Sequence, residues 1–244
     1  MPKHMVVSPD LKLDWDKYSN IMREINGQLG RGGLTLDHLQ AVVEHRNPFE
    51  ATEERCTHPG LIAPDASLDW ANFYREVFGE EHDFSTLKIP VHEGFSRTII
   101  VAKGMTPERL FQKCLERFRT WKWTDQSLDE IVISDRTSKD GAYAVCFRNV
   151  VEADANLKLM SANDLKAANI PGITLEERLL MELKYFKETR KHLDIKNVTL
   201  CSGSRFSDGV VPGVGWSSYG AEMHVDGFHP DYRYDDLHAR EAVS

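Results

Sequence analysis

The chain has 244 residues, enough for one large domain or two modest ones with a substantial buried core. Its 41% hydrophobic and 28% charged content is that of an ordinary globular protein, and a net charge of -8 argues against a dedicated nucleic-acid binder, which carries a basic stripe. No stretch approaches the roughly 18 consecutive apolar residues of a membrane span, and Met1 to Val7 lack a signal-peptide core, so the expected location is cytoplasmic, with export by another route left open.

Taken in order, the first ninety residues read as helical. Leu13, Tyr18, Ile21, Met22, Ile25 and Leu29 recur at helical spacing until a run of glycines. Thr35 is placed to cap a second helix with Leu36, Leu39, Val42 and Val43 on one face. Ser67 is the expected cap of a third, whose buried stripe would be Trp70, Phe73, Tyr74 and Val77. From Phe95 to Ala102 the composition turns β-like. Thr106-Pro107-Glu108 is a strong helix start, and Leu110, Phe111, Cys114, Leu115 and Phe118 give that helix an apolar face.

Trp121 and Trp123, alternating around Lys122, predict a short strand, and Leu128–Ser134 and Ala142–Val151 predict two more. Thr174-Leu175-Glu176-Glu177 is a capping-box pattern opening a helix with Leu175, Leu179, Leu180, Leu183 and Phe186 on one side. Val198 to Cys201 reads as the strand that follows. The expected architecture is α+β, with a helical N-terminal region over 1–90 and a second domain over 91–244. Cys56, Cys114, Cys146 and Cys201 are scattered without a C-x-x-C pair, so buried free thiols are expected rather than a disulfide framework or a zinc site.

The chain then changes character. After Asn197 there is no Lys, Gln, Asn or Ile, and Tyr, Asp, His, Gly and Ser dominate, a palette typical of recognition loops. Gly203-Ser204-Arg205, a Val-Pro-x-Val-x-Trp strand ending at Trp216, Pro230-Asp231, and Leu237-x-x-Arg240-x-Ala242-Val243 follow in that order. This order resembles the end of a C-type-lectin-like domain of the formylglycine-generating-enzyme type. Arg240 matches that family's final Arg and Pro230-Asp231 its Pro-Asp, whereas Arg205 stands where Trp is usual. The segment more closely resembles the variable proteins of diversity-generating retroelements, with 203–240 as the variable region. In those systems miscopied adenines turn AAC codons into NNC codons, which cannot encode Lys, Glu, Gln, Met or Trp. Between Phe206 and His238 only Trp216, Glu222 and Met223 belong to that excluded set.

The resemblance implies a binding protein without cofactor or catalytic residues, recognising protein ligands through its C-terminal surface. Alternation along the strands divides the segment. Val211, Val214, Trp216, Met223, Val225, Leu237 and Ala242 should face inward, with Gly203 and Pro212 shaping the backbone. The expected contact residues are Phe206, Asp208, Ser217, Ser218, Tyr219, His224, Asp226, Phe228, His229, Tyr232, Tyr234, Asp235 and His238. Exposed together, the aromatic members would form an apolar patch that asks for a partner.

A lectin-like fold admits two other chemistries. The resemblance to formylglycine-generating enzymes would imply copper-dependent oxidation at a close cysteine pair late in the domain, but Cys201 is the only cysteine after Cys146, so the pair is absent. A metal- or carbohydrate-binding module with a fixed ligand is the alternative, because the His and Asp residues between His224 and His238 supply ample ligands. The sugar-binding Glu-Pro-Asn or Gln-Pro-Asp and Trp-Asn-Asp patterns are absent, however. There is also no Gly-x-Ser-x-Gly elbow and no phosphate-binding glycine loop.

Overall fold

A computed structural model describes residues 66–244, and before them only Ile25, which is helical. The helices expected around 11–29 and from Thr35, and Cys56, otherwise lie outside the described residues.

Helix α1 (Ala66–Phe78) buries Trp70, Phe73 and Tyr74, the stripe that the 3.6-residue period predicts. Ser67 sits inside its first turn, not at its cap. Strand β1 (Arg97–Val101) receives this helix: Trp70 Nε1 donates to the Thr98 carbonyl at 3.1 Å. Tyr74 Oη donates to the Ile100 carbonyl at 2.9 Å and accepts from the Ala102 amide. The expected boundary at residue 91 is therefore corrected. The compact unit runs Ile62–Ser244, because α1 shares a core with the strand that follows it.

Helix α2 (Pro107–Leu115) starts as predicted, with the Thr106 side chain accepting from the Arg109 amide and Pro107 in the first turn. Strand β2 (Thr120–Lys122) follows. The strand expected over 128–134 is split. Ser127 caps a single turn, α3 (Leu128–Ile131), and only Val132–Ser134 extends, as β3. A Ser cap followed by Asp129 and Glu130 favours a helical start, which the apolar run alone concealed. Strand β4 (Tyr143–Phe147) pairs antiparallel with β1, and Cys146 bridges on to Val243.

Helix α4 (Ala162–Ala167) carries a capping box between Ser161 and Asp164. Helix α5 (Leu175–Thr189) carries the predicted one between Thr174 and Glu177. Its apolar stripe is buried from Leu175 to Leu183, but so are Glu176, Glu177, Arg178, Glu182 and Lys184. Ion pairs make that burial tolerable, among them Arg136–Glu177 and Arg178–Glu182.

The last quarter builds the main sheet. Strands β5 (Val198–Leu200), β7 (Val211–Ser217), β8 (Glu222–Phe228) and β9 (Leu237–Ala239) join β2 in the order β2-β8-β7-β5-β9. Strand β6 (Ser204–Phe206) pairs with β3 instead. Contacts β7–β8 and β5–β7 are antiparallel, whereas β2–β8 and β5–β9 are parallel. Val214, Met223 and Val225 enter the main core with α1, α2 and α5. Leu200, Val211 and Leu237 enter a smaller core with Ala162 of α4. The unit is α+β, and its sheet is packed on both sides at the β5–β9 end.

Candidate functional site

Beneath the C-terminal segment lies a buried charged cluster. Arg240 donates from Nη2 to Asp194 Oδ1 at 2.7 Å, from Nε to Thr199 Oγ1 at 3.0 Å, and from Nη1 and Nη2 to the carbonyls of Val150 and Val151. Arg178 donates from Nε to the other Asp194 oxygen at 2.9 Å and from Nη1 to Glu182 at 2.8 Å. Burial works against the Arg178 charge, but Asp194 and Glu182 outweigh it and hold the guanidinium above its ordinary range. His192 completes the rim. Its Nδ1 lies 2.9 Å from Glu182 Oε1, and its ring stacks on Trp216. This cluster ties the start of α5, the approach to β5 and the chain after β9 into one frame.

The hairpin β7–β8 extends from that frame. Met223 and Val225 point into the core, while Glu222, His224, Asp226 and Phe228 alternate with them on the opposite face, which is only partly covered. Gly213 and Gly215 occupy the same face of β7, and their lack of side chains leaves room for Phe228 and Val198, which lie where a Cβ would project. Ser217, His224 and Asp226, with Asn197 and Asp236, line a shallow cavity of about 190 Å³. Burial raises the Asp226 carboxyl above its ordinary range, with His224 opposing. His224 lies 3.2 Å from Glu222 Oε1, without hydrogen-bond alignment.

Beyond β8 the chain forms a loop fastened to α4. Arg233 grips Asp164 with two bonds, Nε to Oδ2 at 2.7 Å and Nη2 to Oδ1 at 2.8 Å. Asn163 donates from Nδ2 to Asp231 at 2.6 Å and from its amide to the Pro230 carbonyl at 3.1 Å. Arg233, and then Ser161, hold the Asp164 carboxyl well below the usual carboxylate range. From this anchored loop Tyr232 and Tyr234 project half-exposed, their rings edge to face at 5.2 Å, with His229 beside Tyr232. Tyr219, at the tip of the hairpin, is fully exposed at 104%.

Two of the expected contact residues belong to the interior. Phe206 is 2% exposed and packs edge to face against Trp123 in the main core. His238 is 6% exposed, because β9 is enclosed on both faces and no position along it meets solvent. Asp208, Ser218, Tyr219, His229, Tyr232, Tyr234 and Asp235 are exposed, and Ser217, His224 and Asp226 are partly so. Phe228 is also partly buried, packed against the small core. Of the residues expected inside, all are buried except Trp216, which is partly covered and stacks on His192.

Sequence reasoning missed Trp121 and Trp123 as surface groups. They are 45% and 42% exposed: Trp121 sits on the edge strand β2 opposite His224, with its ring 5.4 Å from the imidazole, and Trp123 lies just past the end of that strand. Two tryptophans separated by one residue were the signal, although only Trp121 lies in the strand, while Trp123 packs on Phe206. The loop anchors Asn163 and Asp164 carried no local signal, being sixty-odd residues away from their partners.

Among the described residues, no group of three or more His, Cys, Asp or Glu side chains is placed to hold a metal ion. Cys114, Cys146 and Cys201 are free and buried, and burial pushes the Cys114 and Cys201 thiols up. Among the described residues, no helix is long and apolar enough to cross a membrane. No protein-family model matches the chain, and comparisons with curated proteins and with solved structures return no match either.

Proposed function

We propose that this chain is a binding protein rather than an enzyme, that its 66–244 unit is a C-type-lectin-like domain, and that its C-terminal surface is diversified by a retroelement to recognise varied protein ligands. The observation that carries this reading is the division of labour between Val211 and Asp236. The backbone there is fixed by seven paired positions of β7 with β8 and by the Arg233–Asp164 clamp, while Tyr219, Tyr232 and Tyr234 stand clear of the core. A rigid frame with exposed Tyr, Ser, Asp and His side chains lets many sequences share one fold, because the variable groups hold nothing together.

The contact set is accordingly narrowed. Phe206 and His238 are assigned to the frame, and Trp121 is added as an aromatic contact bordering His224 on the adjacent edge strand. The deciding experiment is to sequence the DNA beside the coding region. The proposal expects a near-copy of the stretch encoding 203–240, differing almost only where the copy has adenine, next to a reverse-transcriptase gene. If neither is present, the surface is a fixed one and the diversification reading is wrong.

A further inference from the structure

A second concavity lies away from the hairpin, on the other flank of α4. It has a volume of about 370 Å³ and opens between that helix, the segment Asn169–Gly172 and the turn Ser202–Arg205. Leu165, Ile170 and Pro171 supply an apolar wall, and Arg205 and Lys166 supply two cations.

Arg205 is the group that needs explaining. It is partly buried, and burial lowers its pKa from the ordinary value, with only Asp135 opposing. A guanidinium drawn out of water normally finds a carboxylate, as Arg136, Arg178 and Arg240 do in this molecule. Arg205 has none within ion-pair distance among the described residues. Its Nη1 donates to the carbonyls of Ser202 and Ser204 at 2.8 and 2.7 Å. Nε and Nη2 have no acceptor among the described residues, and neither is among the buried unpaired atoms, so both keep contact with solvent on a residue that lines the cleft. Ser202 Oγ, in the same wall, is buried without a hydrogen-bond partner. Lys166, also lining the cleft, has no carboxylate partner among the described residues either.

We propose that this cleft is a binding site for a small monocarboxylate with a short apolar tail, its carboxylate paired with Arg205 Nε and Nη2 and its tail against Leu165 and Ile170. The two free guanidinium nitrogens form the planar fork that fits a carboxylate with two parallel bonds. Asp135, also lining the cleft, reduces the local charge to a single net positive with Arg205 and Lys166, which suits one negative charge better than two. The volume falls within the range of small-ligand pockets, and an apolar wall with a few convergent polar groups is their usual character.

The test uses the full chain, sodium butyrate as probe and inorganic phosphate at matched ionic strength as the comparison. Calorimetry should show saturable butyrate binding that Arg205→Gln weakens at least about tenfold, the loss expected for a charge-assisted pair. Arg205→Lys should not restore it, because an ammonium has no fork. Amide NMR on the unaltered protein provides a readout that does not depend on any variant, with shifts confined to Lys166, Ile170, Ser202, Arg205 and their neighbours. The proposal is overturned by absence of saturable butyrate binding, by undiminished binding in folded Arg205→Gln, by shifts elsewhere, or by preference for phosphate.

Discussion

The cluster around Asp194 and the run from Ser217 to Asp236 are both rich in polar and charged side chains, and they use them in opposite ways. At Asp194 two guanidinium groups meet one carboxylate with almost no access to water, and every guanidinium nitrogen except Arg178 Nη2, which is held only by its ion pair with Asp194, has a hydrogen-bond acceptor. In the surface run, most Asp, His and Tyr side chains are open to solvent, and the backbone is held by the pairing of β8 with β7 and β2, the Val198–Asp236 main-chain bond, the Arg233–Asp164 clamp and the Asn163 contacts. The difference shows that polarity in a sequence says little about role. What decides is whether removing a group strands a partner out of reach of water.

Substitutions in the two regions should therefore differ in cost. The largest effect is expected at the buried cluster. Asp194→Ala leaves Arg178 and Arg240 short of their shared acceptor and should cost about 3–5 kcal/mol in urea denaturation, or abolish folding. A loss below about 1 kcal/mol would show that the cluster is not what holds the frame.

The next effect depends on pH. Glu176, at the start of α5, accepts from Ser134 Oγ at 2.7 Å, and burial raises its carboxyl from 4.5 to about 7. The folded protein therefore favours the neutral acid. Its contribution is fully present below the unfolded value of 4.5 and is lost as pH rises through about 7. Relative to Glu176→Gln, which cannot ionise, the native protein should lose about 3 kcal/mol of stability across that window. Parallel stability–pH curves for the two proteins would contradict the assignment.

Adjacent residues of β8 make a finer comparison. Met223 is fully buried, and Met223→Ala should cost about 3 kcal/mol. His224, the next residue, faces the partly covered side, and His224→Ala should stay within about 0.5 kcal/mol. Equal losses would mean that the outer face of the hairpin is part of the core.

Much of this was legible in the sequence. The capping box at Thr174, the Thr106-Pro107 start and the alternation of Met223 and Val225 are local signals, and each produced the element it predicted. The failures have physical causes. The apolar run at Leu128 hid a helical turn, because Ser127 and two acidic residues act on the first amides and the hydrophobic pattern does not record them. Phe206 and His238 were expected at the surface because a strand read alone offers one free face. Trp123 covers the first, and the packing of β9 on both sides covers the second. The anchors Asn163 and Asp164, and the unpaired state of Arg205, depend on what the fold brings next to them, and no spacing rule reaches that far.

The most direct test of the central claim is the stability of a protein carrying Tyr219→Ser, Tyr232→Ser and Tyr234→Ser together. If these side chains are displayed on a frame that does not need them, its urea denaturation should differ from the native protein's by no more than about 0.5 kcal/mol per site. A loss comparable to that of Asp194→Ala would contradict the claim and make these tyrosines part of the structure rather than its display surface.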